Sequence, residues 1–282
     1  MADVNYQDAM ILSIEAALKL YPESSVFVLD LGMSDSAIRK IDQPNIKIYP
    51  RSILEPVWLS MSNLRRRKAG IIRSCLKYKK IPKKNLWKLL FDDRRLYFEC
   101  LCLFKPLFLQ HIIEERADDQ FYLYLDADAF LLDRVDELAE LNSFVTLRFP
   151  DDICFTFGNT MAVNAGVCGF SANQVGVGLL NRWVDGVRDL CVNNFEQTAL
   201  NLVTWDYDLL SHDFRSNVCE DSSKLHSKDL IIRDGQGIGA SRVYNCYKVN
   251  GHDGLSPKIV HFKASSLSEE GLQEQLVSWG LS

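Results

Sequence analysis

One short segment constrains the fold more than any other. Phe121 to Leu125 is a continuous apolar run, and Asp126 and Asp128 follow it directly. A run of that length and polarity predicts a buried strand in a parallel or mixed sheet. In an extended chain, residues two apart point the same way, so both carboxylates can face one ion. Ligands of open α/β sheets sit outside the carboxyl ends of the strands. A carboxylate pair placed there suits Mg²⁺ or Mn²⁺, which take oxygen ligands together with substrate phosphates. The competing reading is two solvated aspartates in a turn, because aspartate is a common turn residue.

A chain of 282 residues accommodates one large α/β domain or two small ones. An apolar fraction of 47% argues against disorder. The most apolar window, Phe98 to Ile113, is broken by Glu99, Lys105, Gln110 and His111, so no membrane span is expected. Asp3 and Asp8 near the start speak against a secretory signal. The eight cysteines form no CxxC pair, which argues against structural zinc. Cys154 and Cys168 lie in apolar surroundings as reduced core residues would. A reducing, cytoplasmic setting is expected.

The net charge of −5 hides an asymmetry: eleven basic and no acidic residues lie between Arg65 and Lys88, interleaved with Ile71, Ile72, Leu76, Leu86 and Trp87. The pattern reads as a basic amphipathic segment against an anionic membrane surface, at the inner face of a membrane. A solvated helix pair with basic outer faces is the alternative, and nucleic acid is the other available polyanion.

Periodicity predicts a helix over 5–21 stopped by Pro22, strands over 25–31 and 46–49, and a helix over 95–114 leading into the aspartate strand. A short helix over 135–141, a strand over 144–149, helices over 173–191 and 194–203, short strands between 230 and 262, and a last helix capped by Ser268 complete the reading. The expectation is one α/β domain over 1–282, with a variable basic insertion at about 52–92.

Further segments carry chemical content. Asn164 is the one polar side chain in Ala162 to Phe170. It either bonds sugar hydroxyls at a cleft wall or caps a strand turn, while Ala165 and Gly166 let backbone approach a ligand. Glu196-Gln197 opens a helix, where the dipole stabilises a carboxylate with or without chemistry. His261 and Lys263 follow a short apolar strand. They suit a metal and a phosphate respectively, although one histidine in an apolar setting also reads as a satisfied core residue. Lys105, before Pro106, points either at a diphosphate or into solvent.

Taken in order, Ala2-Asp3-x-Asn5-Tyr6, Asp126-Ala127-Asp128, Asn164-Ala165-Gly166-Val167, Glu196-Gln197-x-x-Leu200-Asn201 and His261 resemble glycosyltransferase family 8. The family includes glycogenin and bacterial lipopolysaccharide galactosyltransferases and glucosyltransferases. The resemblance runs in patches from residue 2 to about 263. It implies a GT-A fold, a single Rossmann-like domain with a mixed central sheet, a nucleotide-sugar donor such as a UDP-sugar, and Mn²⁺. It further implies Asp126, Asp128 and His261 as metal ligands, and Ala2, Asp3, Asn5 and Tyr6 around the nucleoside. Asn164, Ala165 and Gln197 would line the transferred sugar, and Lys105 would lie near the donor. No nucleic acid is expected as a partner; a glycan or lipid-linked acceptor is.

Three departures stand out. Family members carry Asp-Gln where this chain has Glu196-Gln197. Their His-x-x-Gly-x-x-Lys run has neither Gly nor Lys at those offsets after His261, so phosphate gripping falls to Lys263. Their first strand precedes the Ala-Asp motif, where this chain begins with Met1; the expectation is a start placed downstream of that strand or a sheet without it. The function expected is therefore a metal-dependent, retaining hexosyltransferase, with a catalytically degenerate glycosyltransferase-like binding protein as the alternative. A haloacid-dehalogenase phosphatase would continue its Asp-x-Asp with Gly-Thr near the N-terminus, where this chain has Ala129-Phe130 in mid-sequence. A sugar nucleotidyltransferase would need a glycine-rich basic N-terminal loop that the sequence lacks.

Overall fold

The first element is a helix, α1 (Gln7–Leu20), and its buried side chains Met10, Ile11 and Ile14 recur at the three- and four-residue spacing that puts them on one face. Pro22 follows too closely for the helix to continue. This computed structural model describes residues 1–61, 101–116, 118, 120–147, 163–189, 195–206, 230–233, 235–239, 241–246, 256–262, 274 and 277. The basic run 65–88, most of the expected insertion, Cys154, Lys263 and most of the expected last helix fall outside them.

Strands β1 (Val26–Asp30) and β2 (Ile46–Pro50) pair in parallel. A parallel pair needs a crossover, supplied by α2 (Asp35–Lys40), whose N-cap Ser34 accepts a hydrogen bond from the Ala37 amide at 3.3 Å. A helix, α3 (Glu55–Met61), ends this part. After α4 (Phe104–Arg116) come β3 (Phe121–Leu125), β4 (Ala129–Leu131), β5 (Ser143–Leu147) and β6 (Val163–Ser171). Helices α5 (Gln174–Asp189) and α6 (Phe195–Asp206) follow. Then come β7 (Leu230–Arg233), β8 (Gln236–Gly239), a short α7 (Ser241–Tyr244) and β9 (Ile259–His261).

The central sheet is mixed, in the order β3-β6-β5-β8-β7, with β5 and β8 parallel and the remaining neighbours antiparallel. The chain is thus α/β with a mixed central sheet, as the sequence predicts. The strand bearing the aspartates differs from expectation. Among the described residues it is the edge of this sheet, and its residues alternate between buried and half-buried rather than being buried throughout. An edge strand with one face against the core can still read as an unbroken apolar run when Tyr occupies alternate places: Tyr122 and Tyr124 are the buried positions.

Helices α4, α5 and α6 cover one face. Phe104, Phe108, Leu179, Trp183 and Leu200 pack there with Tyr124, Val145 and Phe170 of the sheet. On the other face Leu138, Leu141, Phe144, Val167, Tyr244 and Ile259 form a second core. Burial of such side chains contributes about 1.5–3 kcal/mol each. The β7–β8 hairpin turns through Gly235 at φ +75°, a left-handed backbone that glycine adopts without a Cβ penalty.

Candidate functional site

The site is built where β3 ends. The Asp126 amide still donates to the Gly166 carbonyl of β6 at 2.7 Å, and the chain then turns, the Ala129 amide donating to the Asp126 carbonyl at 2.9 Å. The tight turn starts β4, which Ser13 of α1 fixes from below by donating to the Ala129 carbonyl at 2.6 Å. β4 pairs antiparallel with β9, with Ala129 opposite His261. The ladder is clasped on both sides: the Phe262 amide donates to the Asp128 carbonyl at 2.8 Å, and the His261 amide to the Cys246 carbonyl at 2.7 Å.

This places His261 Nε2 3.3 Å from Asp128 Oδ1 and 3.6 Å from Asp126 Oδ2. One donor atom from each of Asp126, Asp128 and His261 lies within 4.8 Å of the others. The His261 ring comes this close because position 166 has no side chain. A Cβ there would stand 2.2 Å from His261 Cε1 and 2.7 Å from Asp126 Oδ2.

Charge in the site is balanced by a buried lysine. Lys105, 3% exposed, lies 3.0 Å from Asp126 Oδ1 and 3.7 Å from Glu196 Oε1. It was equally open to solvent on sequence grounds, and it is inside. Burial lowers its pKa, but the Asp126 and Glu196 carboxylates outweigh that and hold it well above the usual lysine range. The Tyr124 hydroxyl donates to Asp126 Oδ1 at 2.8 Å. Burial would raise the Asp126 carboxyl; Lys105 and His261 reverse it and hold it below the ordinary aspartate value. His261 goes up: burial works against its proton, and Asp128 followed by Asp126 more than compensates. Burial pushes Glu196 up, against Lys105, and among the described residues its buried Oε2 meets no hydrogen-bond partner.

A chain of amides runs from this cluster to the start of α6. His261 Nδ1 is 2.8 Å from Asn245 Oδ1. Asn245 Nδ2 is 2.8 Å from Thr146 Oγ1 and 3.0 Å from Asn164 Oδ1. Asn164 Nδ2 is 3.4 Å from Gln197 Oε1. Asn164 Oδ1 also accepts from the Gly166 amide at 2.8 Å.

Of the residues singled out in the sequence, Lys105, Asp126, Asp128, Asn164, Glu196, Gln197 and His261 are thus connected by contacts. Ala127 and Ala2 are buried together in a third core with Met10 and Met33. Ala2 forms a single parallel bridge to Asp30. Asp3 accepts from both nitrogens of Asn5, at 2.9 Å from the amide and 3.1 Å from Nδ2. Tyr6 stands at the α1 N-terminus. Burial raises its phenol pKa, followed by Asp128 and Asp3, which places it in the field of the same carboxylates. Ala165 is fully buried with its methyl in the main core, so what it offers a ligand is backbone.

Sequence reasoning missed Asn245 and Thr146, which have no local pattern to betray them, and the Tyr124 hydroxyl, which was read as part of an apolar run. It gave Gly166 to ligand approach, whereas the space it leaves holds the His261 ring.

Two carboxylates and an imidazole form a donor set that Mn²⁺ accepts and Mg²⁺ tolerates. The Asp126 carboxylate accepts from the Tyr124 hydroxyl at Oδ1 and meets Lys105 Nζ at both oxygens, 3.0 Å from Oδ1 and 3.3 Å from Oδ2; Oδ2 is also the oxygen 3.6 Å from His261 Nε2. On these grounds the residues fit a divalent ion.

No protein-family model matches the chain, and no curated protein does. Two solved structures are similar to it over 98% of this chain and 94% of theirs. One is the galactosyltransferase LgtC in complex with donor and acceptor sugar analogs, at 14% identity and a TM-score of 0.41. The other is an active-site mutant of LgtC, at 14% identity and a TM-score of 0.40. A likeness that distant assigns no function, which has to come from the site.

Proposed function

We propose that the chain is a GT-A glycosyltransferase of one domain over 1–282, moving a hexose from a nucleotide-diphosphate sugar to a glycan or lipid-linked acceptor. The convergence of Asp126, Asp128 and His261 beyond the carboxyl end of β3 carries this reading. Chain order supports it, since the same three positions stand out in the family the sequence resembles.

In this reading Asp126, Asp128 and His261 would hold Mn²⁺ or Mg²⁺, and a UDP-sugar would be the donor. Bound there, the ion supplies Lewis acidity that neutralises charge on the departing diphosphate. The protein does the rest. Lys105 adds a fixed positive charge close to Asp126. Ala2, Asp3, Asn5 and Tyr6 hold the nucleoside. Asn164 and Gln197 orient the sugar hydroxyls, joined by backbone at Ala165 and Ala127. Lys263 takes the phosphate role left open after His261. As the glycosidic bond breaks, positive charge grows on the anomeric carbon; Gln197 and the buried Glu196 carboxylate are the dipole and charge held nearby to stabilise it. Retention follows when the acceptor attacks from the face that the nucleotide leaves. The basic run 65–88 is proposed to meet an acceptor at the cytoplasmic face of an anionic membrane.

The test is release of UDP from UDP-glucose and UDP-galactose with Mn²⁺ present. Wild type should turn over, and Asp128→Ala, folded by circular dichroism, should lose nearly all of it. Unchanged turnover in that variant would overturn the metal assignment. The altered residues after His261 favour a second reading, a degenerate transferase that binds without turnover. Mn²⁺-dependent binding of a nucleotide sugar with no release of UDP would select it.

A further inference from the structure

We propose that Asn245 is a positioning residue that fixes the tautomer of His261 and so keeps the cation seat open; this rests on the metal-site reading above. The inference comes from following donors and acceptors outward from the backbone. The Gly166 amide can only donate, and it donates to Asn164 Oδ1 at 2.8 Å. That fixes which way the Asn164 amide faces. Asn245 meets the same Oδ1 at 3.0 Å, so it must present Nδ2 there. Its second Nδ2 proton reaches Thr146 Oγ1 at 2.8 Å. The Thr146 hydroxyl has one proton, directed at the Val167 carbonyl 2.9 Å away, and therefore accepts from Asn245.

Asn245 Oδ1 is left facing His261 Nδ1 at 2.8 Å. An amide oxygen only accepts, so Nδ1 carries a proton. A neutral imidazole has a single N–H, and Nε2 is then a bare lone pair. It faces Asp128 Oδ1 at 3.3 Å and Asp126 Oδ2 at 3.6 Å. With the ring neutral, three electron-rich atoms meet there, and either a second ring proton on Nε2 or a metal ion satisfies them.

The opposite tautomer would behave differently. With its proton on Nε2, the ring would donate to Asp128 and close the seat with an internal hydrogen bond. Asn245 denies the ring that tautomer, because a protonless Nδ1 would leave Oδ1 of Asn245 without a donor. The site is nearly dry: Asn245 is 8% exposed and Thr146 0%. Water is poorly placed to replace the lost partner, and an unmet buried acceptor is costly. The same amide joins the seat to Asn164 and, through it, to Gln197.

The experiment uses the full chain labelled with ¹⁵N-histidine, free of metal, at a pH where the ring is neutral. The His261 ¹⁵N shifts should report a protonated Nδ1 and a bare Nε2. Mn²⁺ alone is then titrated by electron paramagnetic resonance into wild type and Asn245→Ala, and Asn245→Asp is labelled in the same way, each checked for folding. Asn245→Ala should weaken Mn²⁺ binding by about 10–100-fold, the usual cost of removing a partner of a metal-bound histidine. Asn245→Asp keeps an acceptor for Nδ1–H and should keep the tautomer; it loses the Nδ2 donor to Asn164 Oδ1 and Thr146, so it is read by its ¹⁵N shifts and not by its affinity. A folded Asn245→Ala that binds Mn²⁺ as wild type does, or a wild-type ring protonated at Nε2, overturns the proposal. If Asn245→Ala does not fold, Asn245→Asp decides, and loss of the Nδ1–H signature there overturns the proposal. A wild-type chain with the expected tautomer and no Mn²⁺ binding supports the lock and sinks the metal reading instead.

Discussion

The hydrogen at position 166 sets how closely two distant parts of the chain can approach. A methyl group there would lie 2.2 Å from His261 Cε1, far inside any van der Waals contact, so the ring would have to move away from Asp126 and Asp128. Overpacking of that kind costs about 1–3 kcal/mol, which a folded protein can survive. Gly166→Ala should therefore stay folded by circular dichroism while calorimetric titration shows Mn²⁺ affinity reduced at least about tenfold, the scale on which misplaced ligands act. Asp126, Asp128 and His261 were readable as candidates because acid after an apolar strand and histidine at a strand end are local patterns. Asn245 was not. Its partners Thr146 and Asn164 lie 99 and 81 positions away, and the residues beside it carry no period or spacing that announces them.

At the scale of elements, the contact that joins α5 to α6 positions Glu196 and Gln197 of the site. Trp183 of α5 is fully buried against Phe170, with ring centroids 5.9 Å apart, and its indole N–H donates to the Glu196 carbonyl at 2.7 Å. Trp183→Ala should lower unfolding free energy in urea by about 3–5 kcal/mol. A drop under about 1 kcal/mol, the scale of exposed positions, would mean that this join is not a structural fixture.

Glu137, in the 3-10 turn Asp136–Leu138, accepts from Tyr244 at 2.6 Å and Lys258 at 2.5 Å, binding the approach to β9. Burial would raise its carboxyl, but Lys258 and then Tyr244 bring it below its ordinary 4.5. A carboxyl depressed in the folded state contributes stability above its unfolded value and loses it as pH falls through the depressed one. Thermal midpoints measured from about pH 5 to about pH 3 should thus fall more steeply for wild type than for Glu137→Gln. Helices of clear period, α1 and α5, were legible nearly to their ends. The edge position of β3 was not, since an apolar run does not say whether one neighbour strand or two will flank it.

For the molecule as a whole, two pieces of sequence expectation meet the structure differently. The α/β class follows from alternating strand and helix patterns. The order β3-β6-β5-β8-β7 depends on pairings between segments far apart, which no local pattern encodes. Among the described residues no helix is long and apolar enough to cross a membrane. If the basic run 65–88 meets an anionic membrane as proposed, co-sedimentation with liposomes should depend on anionic lipid and weaken with salt. In the proposed reading, ion binding would also depend on the entire fold. Mn²⁺ at a hundred times its Kd should stabilise the native state by about 2.7 kcal/mol. The rise in Tm should vanish on chelation and be missing in Asp128→Ala.

The three-residue ladder between β4 and β9 has one more consequence. A growing polypeptide has both aspartates long before it has the histidine, and only the pairing of β9 brings His261 to them. Closing so large a loop is slow relative to local structure formation. The candidate ion site is accordingly complete only once β9 has paired, and in the proposed reading Mn²⁺ affinity would report that pairing.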